Sequence, residues 1–444
     1  MTAETFNGDS RDIHRLVLDV AGGGPLSPYR HAPSLGHRAL ARVLDQEPGR
    51  LHPDAPDSVF HREPAAEGPV PFLPKDRLLT AEEQRTAVDC FARALATGEL
   101  TSGPAVAEFE DALAGFLGLP HAIATGSGTD ALIIALRAVG VGPDDEVIMP
   151  ANSFAATENA VFACGAVPVL VDVDPVRHTL DPALVAEAVT PRTRAVLPVH
   201  LHGRLADVEG IARVARERGL RVVEDACQAI GVTGVGAHSD AAALSFNPYK
   251  NFGLTGKAGA VLTRDAELAE RLRMFAYHGF EPGRKNVKAE AYGLNSRIDN
   301  STATVALGLL PRLTLNSYRR AFLAHRYIEA LAGTPLGVPD FTPDHAWHLF
   351  PVTAHPDDRE ALRARLRAAG VETDLYYPVL THHQRTRLHH KLFASARLPH
   401  TERLHATVFH LPLHNNLSVT EQDRVIEALH VALRHPGRTV RPGH

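Results

Sequence analysis

The sequence predicts an α/β protein: a parallel or mostly parallel sheet covered by helices on both faces, followed by a smaller α+β domain. Three observations predict it. Seven short β-rich runs recur between about Lys75 and Arg326. Helical patterns separate several of them, the alternation expected of strand–helix–strand units. From about Tyr327 the texture changes to a shorter mixture of strand-like and helix-like segments.

The elements follow in order. The first 74 residues are rich in Pro, Gly and His, with one short helical pattern at "GHRALARVL" (36–44), and form an N-terminal extension, 1–74. "EEQRTAVDCFARAL" and "AVAEFEDALAGFLG" carry apolar residues at helical spacing. The β-rich runs are "HAIAT", "EVIMP", "VPVLVDV", "RAVLPVH", "LRVVEDA", "AALSF" and "GAVLT". "TDALIIALRAVG", "DPALVAEAV" and "LADVEGIARVARERG" are the helical patterns between them. These make a large domain, 75–326. The small C-terminal domain, 327–444, holds "HAWHLFPVTAH", the helical "DREALRARLRAAG", "VETDLYYPVL", the closing helix "TEQDRVIEALHVAL" and a frayed tail.

At 444 residues the chain suits two or three domains. A net charge of -5 leaves no basic footprint for nucleic acid. The 3 cysteines are scattered, so neither a disulfide framework nor a thiolate zinc site is expected, and a reducing cytoplasm fits. No secretory signal or membrane span is expected. The 26 histidines include His382-His383, His389-His390 and "HLHG" (200–203), but no spacing enforces converging ligands, and no metal is expected.

In doubly wound sheets, ligands bind beyond the carboxyl ends of the strands. "GSGTDAL" follows the first run. Its Ser127, Gly128 and Thr129 either cap the next helix or hold a phosphate on backbone amides and hydroxyls. Asp225 ends "LRVVED", with Gln228 three residues on. This carboxylate is either an N-cap or the partner of a cationic ring nitrogen. "AALSF" leads into "NPYK", where Ser245 can donate to a phosphate and Lys250, if desolvated, becomes a nucleophile toward a carbonyl. A phosphate cup, a carboxylate for a pyridine nitrogen and a Schiff-base lysine are together what pyridoxal 5'-phosphate needs from a protein. The glycines after Lys250 are expected to let backbone pass close to that cofactor.

The ordered series "TSGPAVAEFE", "GSGTDAL", "DEVIMPANSFAATENAV", "VPVLVDVD", "VHLHGRLADVEGI", "VEDACQAIG", "SFNPYKNFG", "LNSRIDN", "DLYYPVLTHHQ" and "LPLHNNLS" resembles the DegT/DnrJ/EryC1/StrS sugar aminotransferases, from about Phe72 to Leu433. The resemblance implies a fold-type I pyridoxal-phosphate enzyme with a mostly parallel seven-stranded sheet. It implies catalytic roles for Lys250, which links the cofactor, and Asp225, which pairs with the pyridine nitrogen. Gln228 and Phe154 would line the ring, Ser127, Gly128, Thr129 and Ser245 would hold the phosphate, and Asn295 would reach a phosphate across a subunit interface. A cytoplasmic homodimer with shared active sites follows. So does a ping-pong transfer from glutamate or glutamine to a keto-sugar (a sugar phosphate or nucleotide sugar) or a keto-cyclitol, in amino-sugar or antibiotic biosynthesis.

The chain departs from the family pattern at Arg204, at Lys257 and in a basic loop with Arg284, Lys285 and Lys288. Together with the extension, these resemble the N-terminally extended members that aminate 3-oxo-glucose 6-phosphate. Arg204, Lys257, Arg284, Lys285, Tyr377 and His382 are the candidate substrate contacts; for the cations the alternative is a solvated surface, and for Tyr377 a packed aromatic corner. A cofactor-binding regulator or scaffold without turnover is the other reading. It would need a DNA-binding module in the extension, where no pair of helices joined by a tight turn is visible.

Overall fold

The computed structural model describes residues 68–434 apart from Lys285. The helical pattern at 36–44, most of the extension, nearly all of the C-terminal tail and Lys285 lie outside the described residues.

All seven β-rich runs form strands. They are β1 (His121–Thr125), β2 (Glu146–Pro150), β3 (Val167–Val171), β4 (Thr193–Val196), β5 (Arg221–Asp225), β6 (Ala241–Ser245) and β7 (Gly259–Thr263). They make one sheet in the order β1-β7-β6-β5-β4-β2-β3. Only β7 runs antiparallel to its neighbours β1 and β6. The others are parallel, and the strand–helix connections place their carboxyl ends along one edge.

Successive side chains of a strand point to opposite faces. In the middle of the sheet both faces are buried, which is why these strands read as unbroken apolar runs. Ile123, Ala243 and Val261 pack with the helices Gly128–Ala138, Ala155–Ala163 and Ala266–Ala276. Ala124, Ala242, Leu244 and Leu262 face the helices Pro104–Leu117 and Asn300–Leu309 instead. Helix starts are set by side chains that accept orphan N–H groups: Thr80 in a capping box, then Ser127, Asp181, Asp207 and Asp265.

A second sheet pairs β8 (Phe350–Thr353) with β9 (Val408–Leu411), antiparallel. β9, in "VFHL", was not among the expected strands. It is short and breaks its apolar run with His410, which is buried. This sheet packs on Tyr327, Trp347, Leu366 and Leu429. Val70 joins the same core through backbone bonds with Gly370 (2.7 Å) and Glu372 (3.0 Å). An expected domain boundary after Arg326 falls inside the continuous helix Arg312–Leu331. The sequence carries no linker signal there, because the helix serves both cores: Leu313 packs with the large sheet and Tyr327 with the small one.

Candidate active site

The sheet register brings the site together. Thr125 of β1 and Ser245 of β6 both face Gly259 of β7, and Asp225 of β5 pairs with Ala243. The residues just past these strand ends, distant in sequence, therefore share one edge.

The helix Gly128–Ala138 starts there. Ser127 caps it by accepting the Asp130 N–H at 3.1 Å. The first amides of a helix have no intrahelical acceptor and favour an anion. A Cβ on Gly128 would lie 2.6 Å from Ser245 Cβ, so only glycine lets this helix end approach β6 so closely. Ser127, Gly128, Thr129 and Ser245 thus share one end of the sheet, and their donor set fits a phosphate.

Asp225 is held from two sides. Thr157 donates its hydroxyl to Oδ2 at 2.8 Å, and the Cys227 N–H donates to Oδ1 at 3.2 Å. Burial and then the charge of Asp225 keep the Cys227 thiol protonated, well above the ordinary thiol value. Lys250 stands in the β6–β7 connection, its N–H closing a turn to Asn247 at 2.8 Å. It is half-buried. Burial lowers its pKa from 10.5, while Cys227 and Asp225 pull it back up. A lysine so placed reaches the neutral, nucleophilic form more readily than a surface lysine.

The lysine loop is clamped on both sides. Phe246 and Phe252 pack edge to face at 5.3 Å, and both meet Phe109. Asn251 donates to the Ala346 carbonyl at 2.7 Å, and its Oδ1 meets His348 Nδ1 at 3.0 Å. The glycines that follow the lysine differ in what requires them: Gly256 faces open space, and Gly259 lies against Ser127. A Cβ on Gly253 would lie 2.3 Å from the Pro248 carbonyl oxygen, so that glycine serves the loop's own tight fold.

Gln228 accepts the His202 N–H at 2.8 Å and donates to the Tyr377 hydroxyl at 2.5 Å. This fixes Tyr377 beside the site as a hydrogen-bonded partner of Gln228. Phe154 precedes the helix Ala155–Ala163 and is 59% exposed. Asn295 is exposed, with its backbone bridged to Tyr277. Lys257 is exposed, and Arg284 is exposed and paired with Glu281 at 3.1 Å. Arg204 is buried and lies in a separate cavity from Tyr377. His382 contacts Glu402 at 3.3 Å, and with His383 these form the one group among the described residues whose ligand atoms converge within 4.8 Å. Adjacent histidines on a short 3₁₀ turn meet a glutamate from a later helix, a convergence that sequence spacing does not reveal.

Thr157 and Asn251 had not been singled out. Each lies inside one of the motifs quoted above, but their bonds reach partners 68 and 95 residues away. Their spacing carries no signal.

The DegT/DnrJ/EryC1/StrS aminotransferase family model matches residues 81–430. The chain belongs to this family. It is 47% identical over 365 residues to the 3-oxo-glucose-6-phosphate:glutamate aminotransferase of Bacillus subtilis (strain 168), a match covering 81% of this chain and 83% of that one. It is 42% identical to a dTDP-3-amino-3,4,6-trideoxy-alpha-D-glucose transaminase of Streptomyces venezuelae, covering 81% and 95%. The crystal structure of NtdA from Bacillus subtilis with bound cofactor PMP superposes with a TM-score of 0.84 at 43% identity, covering 88% of this chain and 92% of that one. This aminotransferase is pyridoxal-phosphate-dependent, as its family membership and its donor set agree. Among its described residues no helix is long and apolar enough to cross a membrane.

Proposed function

We propose that this aminotransferase moves the amino group of glutamate or glutamine to a keto-sugar carried on a phosphate or a nucleotide. The observation that supports the site assignment is that the doubly held Asp225 ends β5 and acts through its charge on Lys250, which follows the neighbouring strand β6. The similarity to sugar aminotransferases supports the acceptor class.

When bound, pyridoxal phosphate supplies an aldehyde that links amines and a ring that draws electrons from the attached carbon. The chain does the rest. Lys250 Nζ would hold the cofactor and, as a neutral amine, would take up and return a proton. Asp225 favours a protonated ring nitrogen, since a close negative charge stabilises the cationic form. Thr157 and the Cys227 N–H aim that carboxylate. The amides of Gly128 and Thr129, with Ser127 and Ser245, anchor the phosphate. Gln228 and Phe154 bound the ring. Asn295, exposed on its own chain, reaches the phosphate of a second copy, which makes a homodimer with shared sites the working form. Lys257 and Arg284 line the approach for an anionic acceptor, as would Lys285 of the same basic loop, and Tyr377 and His382 contact the sugar. The setting is the cytoplasm, and the pathway is amino-sugar or antibiotic synthesis.

The test is the visible spectrum of the protein loaded with pyridoxal phosphate. The amino donor, glutamate or glutamine, bleaches the band of the lysine-linked cofactor, and Lys250→Ala never develops that band. A native protein that takes up no pyridoxal phosphate, or a Lys250→Ala protein with an unchanged band, overturns the assignment.

A further inference from the structure

A cavity of about 300 Å³ lies beside the site between the segment 175–178, the turn 201–204 and the segment 337–345. His202 lines it and also lines the pocket of Tyr377 and His410, so the two spaces share a wall. Lys250, Asp225 and Gln228 do not line it.

Its chemistry is unusual for a protein interior. Arg204 is only 9% exposed, yet its guanidinium makes no hydrogen bond or ion pair among the described residues, and its buried Nε has no acceptor. Its influence on Asp344, His178 and His345 is through charge at longer range. Asp344 does not neutralise it at contact. One oxygen of Asp344 accepts from Arg177 at 2.6 Å and the other from Thr342. Burial would raise the Asp344 pKa, but these bonds hold it below the ordinary value. Arg177 also donates to the Leu205 carbonyl at 2.8 Å and still leaves its own buried Nε unpaired. His345 adds a third donor: its Nδ1 accepts the Trp347 N–H at 2.9 Å, which puts the ring proton on Nε2. Burial, and then Arg204, push His345 down to about 3, so it is neutral at pH 7. Asp340 also lines the cavity, but it is exposed and its charge is screened.

A buried charge left unpaired is costly, and buried donors without acceptors add to the cost. A small multi-oxygen anion removes both, because a guanidinium and a neutral imidazole offer several N–H groups to its oxygens. We propose that this cavity is a phosphate-binding site, with Arg204 as its principal contact and Arg177 and His345 as supporting donors. The phosphate is either the tail of the acceptor or a free anion. Only the first source rests on the aminotransferase reading.

The experiment uses the full chain loaded with pyridoxal phosphate, so that the cofactor's own phosphate site is filled. Inorganic phosphate is titrated by calorimetry at constant ionic strength into the native protein, Arg204→Gln and Arg204→Lys. The native protein binds one equivalent. Loss of one charged hydrogen-bond donor weakens binding by about 10-fold or more in Arg204→Gln. Arg204→Lys falls between, since it keeps the charge and loses the fork. The visible cofactor band is retained in all three, which separates this result from a failure of cofactor binding. Equal phosphate affinity in native protein and Arg204→Gln overturns the proposal, as does absence of native binding up to about 10 mM phosphate. A second arm identifies the source. If Arg204→Gln raises KM for a phosphorylated keto-sugar relative to its dephosphorylated form, and inorganic phosphate competes, the site holds the acceptor's tail. If phosphate binds without competing, the ligand is a free anion.

Discussion

The two sides of His202 are built on opposite principles. On the Asp225 side, polar groups spend their bonding capacity on one another: Thr157 and Cys227 on Asp225, and Gln228 on both His202 and Tyr377. On the Arg204 side, two arginines and a histidine keep N–H groups in reserve. The first arrangement fixes the groups of the proposed reaction site before anything binds. The second leaves a cost standing that only a ligand removes. Satisfied networks and unsatisfied donors thus point to two different jobs within one small region: alignment and capture.

The largest effect comes from breaking the alignment at its charge. Asp225→Asn keeps the shape but removes the carboxylate, and transamination falls about 10²–10⁴-fold, the range of a lost acid–base or electrostatic partner. The same change has a second signature. Burial lowers the Lys250 pKa, and Asp225 opposes that lowering. With the opposing charge gone, the pKa falls further. The pH midpoint for capture of added pyridoxal phosphate by the cofactor-free variant therefore moves to lower pH than in the native protein. A midpoint that moves upward would mean that Asp225 does not act on Lys250. Arg204→Gln leaves this midpoint in place, which separates the two sides.

Next in size is the clamp beneath the lysine. Phe252 is 3% exposed and packs against Phe246 and Phe109. Phe252→Ala costs about 3–5 kcal/mol of stability, read by denaturant unfolding. Because Lys250 and Asn251 immediately precede it, cofactor retention weakens as well. Phe109→Ala removes the same packing from the helix side. An equal loss of stability with normal cofactor retention there would show that the loop, and not the core as a whole, positions the lysine.

Much of this was legible in the sequence, and the limit has a physical origin. The strands were readable because a sheet buried on both faces demands unbroken apolar runs, such as Val147–Met149 and Ala241–Leu244. Asp225 and Lys250 stand out in sequence because a charge at or soon after such a run needs a reason to be there; Asp225 is buried and Lys250 half-buried. What stayed hidden depends on register and on long separations. Thr157 faces Asp225 only because the sheet edge and the helix Ala155–Ala163 converge. The Arg204 cavity needs the strand-end turn to meet the segment 337–345, which it does through the Arg204–His345 backbone bridge. Arg204 was readable as a cation out of place in its motif, but its burial and its missing partner were not. The helix Arg312–Leu331 runs through the expected boundary after Arg326, and a helix shared by two cores shows no break in sequence.

A smaller effect is spread across both sides. Burial is the main cause that pushes His345 down to about 3 and His410 down to about 4, from an ordinary 6.5. As pH falls through 6.5 the unfolded chain takes up protons that these folded histidines refuse. Their contribution is complete above pH 6.5 and is lost progressively on the way down to about 4 and 3. Each costs about 1.4 kcal/mol per pH unit inside its window. Urea midpoints therefore fall on acidification through that range, and His410→Gln flattens the fall. Filling the Arg204 cavity with phosphate steadies the His345 side alone, so the remaining slope in saturating phosphate belongs to His410 and its neighbours.

The smallest change converts one side of His202 into the other. Tyr377→Phe keeps the ring and removes the hydroxyl that accepts from Gln228 Nε2. Burial raises the Tyr377 pKa well above its ordinary value, so this hydroxyl stays protonated and neutral. Its loss strands a buried amide donor at a cost of about 1–3 kcal/mol. Gln228 still accepts the His202 N–H, so His202 and the wall of the Arg204 cavity stay in place, and phosphate affinity there is unchanged. If Tyr377→Phe weakens phosphate binding as much as it weakens the cofactor site, the two sides form one cooperative network through His202. If only the cofactor side responds, alignment and capture are separable, and each can be altered without disturbing the other.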